Sequence, residues 1–503
     1  MRRNVIVGFS CAFVVTVTSG DRVTGASPGV QGGQAACEQL AKLQLPDVRV
    51  TEAVPASAGG GATAVRVPHC RVTGVIGSEI RFTLLLPDQW NKKFLMGGGG
   101  GFVGSISNQA QRFVNDGYAS VGTDTGHQSP SNTDASWALD NLERQLNFGY
   151  LAVHRTAEVA KAILRSYYEE AAGRSYFFGC SNGGRQALME AQRFPDDFDG
   201  IVAGAPAADF VGIATQFIKD SQAAFPNASS LTPMFTPDTL KSVETQILAK
   251  CDALDGVKDG VMEDPRRCTV DPGTLTGLTD PQRAALKSIY GETAARGTSI
   301  YPAQPAGGEG QDGGWGEWIT GLPQPPVPNG PSLRFAFGTQ FFKYFVFNDP
   351  KWDYTRYDIA NAPADAKRAG QILNATNADL SAFKAKGKKL VVWHGWADPA
   401  LTALAIVQYH DQVLQRDAAA ADYFRLFMMP GVLHCGGGTG PDTVDWPAAI
   451  QDWVEKGKAP ARIIARKVVN NATTRTRPLC VFPQKAEYTG SGSTDDEASF
   501  VCK

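Results

Sequence analysis

The chain has 503 residues, 43% of them hydrophobic and 19% charged, with a formal net charge of −2. That is ordinary globular composition, with length for a large core and two domains. A charge this close to zero carries no footprint for nucleic acid or an anionic membrane surface, so neither is expected as a partner.

In chain order, Met1-Arg2-Arg3-Asn4 is followed by an apolar run over 5–17 and small residues to Ala26. Charged, apolar and small segments in that order predict a signal peptide over 1–26, and a secreted or periplasmic protein. The run is too short to cross a bilayer, and nothing later is long enough. Cys11 lies inside it, but Gly8-Phe9-Ser10 is a poor context for a lipid anchor. Residues 27–60, rich in Gly, Ala, Pro and Ser, read as an irregular N-terminal segment. Residues 81–86 read as a strand closed by Pro87-Asp88, and 93–96 as another that runs into Gly97 to Gly101. Five glycines are either a flexible turn or a loop whose bare backbone approaches a ligand with free N–H groups. Residues 118–127 read as a buried strand leaving through a polar loop. Over 152–168 the apolar positions Val153, Ala157, Ala160, Ile163, Leu164 and Tyr167 recur with a helical period.

The next stretch organises the rest. Tyr176-Phe177-Phe178 reads as a short buried strand, Gly179-Cys180-Ser181-Asn182-Gly183 fits G-x-S-x-G, and 186–192 reads as a helix. Strand, Gly-flanked turn and helix are the context in which that motif presents a nucleophilic serine. Asn182 opens the helix, so its N–H points toward a developing oxyanion, and Gly100 is the partner donor expected from the glycine run. Residues 198–206 read as the following strand. Strands alternating with helices predict a parallel, helix-covered sheet. Residues 207–387 lose that pattern and read as an inserted lid; strand character returns at 388–394 and again at 423–429.

A serine nucleophile needs a base, and the base needs a carboxylate. His69 and His154 precede the motif, the first beside a cysteine and the second on a helix. His127 also precedes it, on a loop with reach. His410 falls in a helical pattern over 401–414. His434 stands in a Gly-rich loop beyond the strand 424–429, and Asp398 in the short loop ending the strand before it, 36 residues upstream. Ser181, Asp398 and His434 occur in the order used by α/β-hydrolases, which is the fold class expected. Without Cys11, eight cysteines remain: Cys37, Cys70, Cys180, Cys251, Cys268, Cys435, Cys480 and Cys502. An even count behind a leader suggests disulfides, but on the order of a hundred pairings are possible, so spacing alone does not decide. Three pairs are near in sequence, 37/70, 251/268 and 480/502. Cys180 and Cys435, neighbours of the serine and the histidine, are left as a bridge or as two buried thiols.

Residues 179–186, 199–206, 394–399 and the His434-Cys435 pair resemble the tannase and feruloyl esterase family, which includes a mono(2-hydroxyethyl) terephthalate hydrolase. The resemblance spans about Cys37 to Cys502. It implies a secreted serine esterase with the triad Ser181, Asp398 and His434, a Cys180–Cys435 bridge, and core segments 27–206 and 388–503 flanking the lid. It implies also that Cys251 to Val261 is a structural Ca²⁺ loop, with Asp252, Asp255 and Asp259 giving carboxylates and Val257 and Val261 carbonyls, closed by Cys251–Cys268. Read alone, that loop is equally a run of Asp-Gly turns. The implied substrates are small aromatic esters, on plant polysaccharide or tannin: gallates, ferulates, coumarates or terephthalate monoesters. The lid carries Trp315, Trp318, Phe335, Phe337, Phe341, Phe342, Tyr344, Phe345, Phe347 and Trp352. Some of these can stack on a phenolic ring, while most form the lid's own core. No cation, Arg334 and Lys343 included, is assigned to a substrate carboxylate. Two other readings are a non-catalytic binding protein, whose mark would be a broken triad, and a peptidase on the same scaffold.

Overall fold

The computed structural model describes residues 34–57, 59 and 65–503. The expected signal peptide and Cys11 lie outside the described residues. A nine-stranded sheet runs through the molecule in the order β1-β2-β3-β5-β4-β6-β7-β10-β11. Its strands are β1 Val48–Ala56, β2 His69–Ile76, β3 Ile80–Pro87, β4 Lys93–Gly97, β5 Ala119–Thr123, β6 Arg174–Cys180, β7 Gly200–Gly204, β10 Lys389–Gly395 and β11 Phe424–Met429. A short hairpin, β8 Thr293–Ala295 with β9 Thr298–Tyr301, lies between β7 and β10 in sequence.

From β5 to β11 the pairing is parallel throughout. The other edge is not: β1, β2, β3 and β5 pair antiparallel, so the sheet is mixed rather than wholly parallel. Residues 27–60 also differ from the irregular segment expected. They include the helix Gln34–Gln39 and all of β1, tied down by the Cys37–Cys70 disulfide. As an edge strand β1 buries only Ala53 fully, so it shows no apolar alternation.

The central strands are almost wholly buried, as a sheet covered on both faces requires. Helices Ala152–Tyr168, Asn182–Arg193 and Ala403–Arg416 turn their apolar stripes into one core. Helix Trp446–Lys456 packs on the opposite face, where Trp446 stacks on Trp393 of β10.

Between β7 and β10 the chain builds helices Phe210–Ala224, Pro237–Cys251, Asp280–Tyr290 and Leu333–Phe341 around two apolar clusters, one of which takes in Ala400 and Leu401 and the other Phe102, Trp137 and Phe148. Two further hairpins, β12 Arg462–Val469 with β13 Ala472–Cys480 and β14 Ala486–Tyr488 with β15 Phe500–Cys502, finish the chain. Among the described residues no helix is long and apolar enough to cross a membrane.

Candidate active site

Ser181 sits between β6 and the helix Asn182–Arg193 with φ +65° and ψ −125°, a backbone conformation that side-chain-bearing residues rarely adopt. The turn is tight enough to require glycine on both sides. A Cβ on Gly179 would lie 2.3 Å from the Gly183 carbonyl, and one on Gly183 would lie 2.5 Å from Gln109 Oε1. Gln109 Oε1 also accepts from the Cys180 N–H at 2.8 Å, which holds the turn from the loop beyond β4.

His434 reaches the serine from the loop after β11. Its Nε2 is 2.8 Å from Ser181 Oγ, and its Nδ1 is 2.8 Å from Asp398 Oδ2. An ionised carboxylate can only accept, so His434 Nδ1–H donates and Nε2 is left to take the serine proton. Asp398 stands in the turn just after β10 and is fully buried; its Oδ1 accepts from the Ala400 and Leu401 N–H groups at 2.8 and 3.0 Å. Burial alone pushes this carboxyl up, but the facing His434 and hydrogen bonds from His394 and His434 outweigh it and hold Asp398 well below the usual carboxylate range. Cys180 and Cys435 form a disulfide with their Cα atoms 5.9 Å apart, joining the serine's neighbour to the histidine's. Cys37–Cys70, Cys251–Cys268 and Cys480–Cys502 are also bridged.

Three of the other histidines lie elsewhere. His127 is buried under Trp137, with Nε2 2.9 Å from the Phe102 carbonyl, and burial lowers its pKa to about 4. It steadies the backbone after the glycine run and does not reach Ser181. His154 pairs with Asp197, and His410 with Asp411.

The glycine run lies against the nucleophile turn. Asn182 Nδ2 donates to the Gly99 carbonyl at 3.0 Å, and the Gly99 N–H donates to Gln186 Oε1 at 3.1 Å. Gly98 N–H is taken by the Phe178 carbonyl and Phe102 N–H by that of Asn132. Elimination among the described residues leaves the N–H groups of Gly100 and Gly101, and it is Gly101 that borders the cavity beside Ser181.

That cavity opens on Ser181, Asn182 and His434. Its wall is Phe102, Ala400 and Leu401 from the sheet's loops, and Phe210, Ile213, Phe217, Trp318, Phe337 and Phe341 from the segment between β7 and β10. Trp318 also packs edge-on against His434, ring centroids 4.9 Å apart. Of the ten aromatics singled out in the sequence, Trp318, Phe337 and Phe341 line the cavity; Trp315 is buried among the helices between β7 and β10, and Phe335, Phe342 and Phe345 are buried in a cluster shared with Phe102, Trp137 and Phe148. Arg334 is fully buried and committed: it pairs with Asp220 and donates to Gln304 Oε1 at 2.6 Å and to the Pro399 carbonyl at 2.9 Å.

The Asp-Gly loop lies next to β13, and its Gly260 carbonyl accepts from Thr439 Oγ1 in the loop that carries His434. Gly260 N–H donates to both Asp252 oxygens at 3.1 Å, Val257 and Glu263 N–H groups hold Asp255, and Val261 N–H holds Asp259. Arg477 of β13 pairs with Asp259. Burial, then repulsion from Asp259 and Asp252, raises the Asp255 pKa. Asp252, Asp255 and Asp259 share one loop and only Asp259 has an arginine partner among the described residues; carboxylates of this kind are the donors a hard cation takes.

Residues 63–503 match the family model for tannase and feruloyl esterase. An uncharacterized esterase of Xanthomonas campestris is 35% identical over 95% of this chain and 93% of its own. The mono(2-hydroxyethyl) terephthalate hydrolase of Piscinibacter sakaiensis is 32% identical over 93% of this chain and 92% of its own. The crystal structure of feruloyl esterase B from Aspergillus oryzae superposes with a TM-score of 0.83 at 28% identity, covering 93% of this chain and 100% of that one. The fold is that of an α/β-hydrolase, and the protein is a carboxylic ester hydrolase. It belongs to the tannase and feruloyl esterase family.

Proposed function

We propose that this enzyme hydrolyses esters of uncharged aromatic acids, feruloyl and galloyl esters among them, through an acyl-enzyme on Ser181. The observation that carries the substrate class is the cavity at Ser181: aromatic on several sides and, among the described residues, lined by no lysine or arginine. A phenolic ring gains apolar burial and edge or face contacts there. A terephthalate monoester would bring a carboxylate into the same wall with no cation to pair it, which disfavours that alternative.

His434 Nε2 takes the Ser181 proton as Oγ attacks the ester carbonyl. The oxyanion faces N–H groups of Asn182 and of the Gly100–Gly101 stretch. Collapse expels the alcohol, protonated by His434, and water reverses the steps. Asp398 keeps the imidazole in the required tautomer. Four disulfides among the described residues and the charged-apolar-small leader favour a secreted or periplasmic protein.

We infer further that Asp252, Asp255, Asp259 and the carbonyls of Val257 and Val261 hold Ca²⁺. When bound, the ion supplies positive charge to the crowded carboxylates and ties the loop to the fold; no step of ester cleavage passes through it.

A panel of methyl ferulate, methyl gallate, a terephthalate monoester and a peptide substrate tests the reading, with Ser181→Ala as control. Methyl ferulate or gallate should be cut fastest, and Ser181→Ala should lose on the order of 10⁴ or more in turnover while staying folded. Faster cleavage of the terephthalate monoester overturns the substrate class. Near-normal hydrolysis by folded Ser181→Ala overturns the mechanism.

A further inference from the structure

We propose that His394 is a positioning residue for the reaction: as a neutral imidazole protonated on Nε2, it shares Asp398 with His434 and sets how strongly that carboxylate holds the base. The inference rests on the triad reading above.

His394 lies in β10, opposite Met428 of β11, and is 1% exposed. Its Nε2 is 3.1 Å from Asp398 Oδ2 and 3.1 Å from the Leu401 carbonyl. Both are acceptors, so Nε2 carries the proton and divides it between them. The oxygen it reaches is Oδ2, the same one that accepts from His434 Nδ1 at 2.8 Å. Asp398 is therefore a carboxylate with two backbone N–H groups on Oδ1 and two imidazole N–H groups on Oδ2.

The protonation state of His394 follows from its other nitrogen. Nδ1 is buried with no hydrogen-bond partner. An imidazolium would put an unpaired, buried N–H there, which is costly. The neutral Nε2–H form leaves only an unused acceptor. His394 thus gives Asp398 a donor without adding a competing charge beside His434.

His394 is not an alternative base, because it lies behind Asp398 and His434 occupies the serine. Nor is it filler in a strand, since its one proton goes to the carboxylate that orients the base and to the loop carrying it. Without that donor, Asp398 would interact more strongly with His434, and the base would be harder to free of its proton at low pH. The other charged or titratable groups near Asp398 are Arg334, bound to the Pro399 carbonyl and paired with Asp220, the buried phenol of Tyr301, and Asp209 beyond it. The substitutions below alter none of them.

The test compares His394→Leu, which removes the donor, with His394→Gln, whose side-chain amide places an N–H at nearly the reach of Nε2. In His394→Leu we expect the acid limb of kcat/KM to move up by about half a pH unit and kcat to fall about tenfold, with KM within about twofold. His394→Gln should restore both. In the wild type, ¹⁵N NMR of labelled histidine should show the proton on Nε2 across the active pH range. An unmoved acid limb in folded His394→Leu, whatever its kcat, means the residue only packs and overturns the proposal. So does failure of His394→Gln to restore the limb, or an imidazolium or Nδ1–H form in the wild type. If His394→Leu does not fold, the wild-type NMR decides alone. Failure of the triad reading is seen separately, as hydrolysis surviving in Ser181→Ala.

Discussion

Two residues of the site are held in the left-handed region without being glycine: Ser181 at φ +65° and Cys435 at φ +62°. Each such placement costs on the order of 1–3 kcal/mol and persists only where surrounding structure enforces it. The Cys180–Cys435 bridge joins the two strained turns directly. In the chain-entropy account, closing so long a loop contributes roughly 5–6 kcal/mol. Its second effect is local, because misplacing His434 by ~1 Å from Ser181 can cost around a hundredfold in rate. Cys180→Ala with Cys435→Ala should therefore lower kcat far more than the folded fraction at moderate temperature, and each single change should be about as harmful. Activity and circular dichroism on the same samples check this; a parallel fall in both removes the positional role. Asp398 and His434 were legible because each stands just past an apolar strand in a loop marked by Pro or Gly. His394 was not legible as a partner of Asp398. Inside 389–395 it reads as one more strand residue, and only the turn after Gly395 brings the carboxylate back to it.

Legibility at the scale of elements followed apolar patterning. Strands β3 to β7 and the helix Ala152–Tyr168 bury continuous or periodic apolar faces and were readable. β1 was missed because it lies at an edge, mostly exposed, with Pro55 within it. The Asp-Gly loop is the element whose identity rests on an ion. Its carboxylates are held by backbone N–H groups, and of the three aspartates only Asp259 pairs with an arginine, Arg477 and more distantly Arg475. If Ca²⁺ binds the folded loop alone, chelation should lower the thermal midpoint and added Ca²⁺ restore it, since a ligand specific to the folded state stabilises by mass action. Dialysed protein that contains no calcium and shows no shift on adding it removes the ion from the account.

For the whole molecule, one buried acid gives stability a pH dependence of known sign. Glu309 is 1% exposed, accepts from Tyr290 and the Gly307 N–H through Oε1, and leaves Oε2 unpartnered. Burial raises its pKa from 4.5 to about 7, against those hydrogen bonds. The folded protein then binds this proton more tightly than the unfolded chain does. Its contribution is complete below about pH 4.5 and is lost as pH rises to about 7, on the order of 3 kcal/mol in all. Glu309→Gln should flatten that part of the stability profile, so the difference between variant and wild type should grow from pH 5 to pH 8. Parallel profiles show that Glu309 ionises normally.

The segment between β7 and β10 does more than wall the cavity. Gln304 Nε2 donates to the Asp398 carbonyl at 2.9 Å, Arg334 holds both Gln304 and the Pro399 carbonyl, and Thr402 Oγ donates to the Ala303 carbonyl. The loop that carries Asp398 is thus fastened from the segment that also walls the cavity. This limits recombination between relatives. A chimera that exchanges residues 207–387 to import another specificity inherits the acid loop's anchor from the donor. It should work only where the donor offers counterparts of Gln304, Arg334 and Asp220 at the same places.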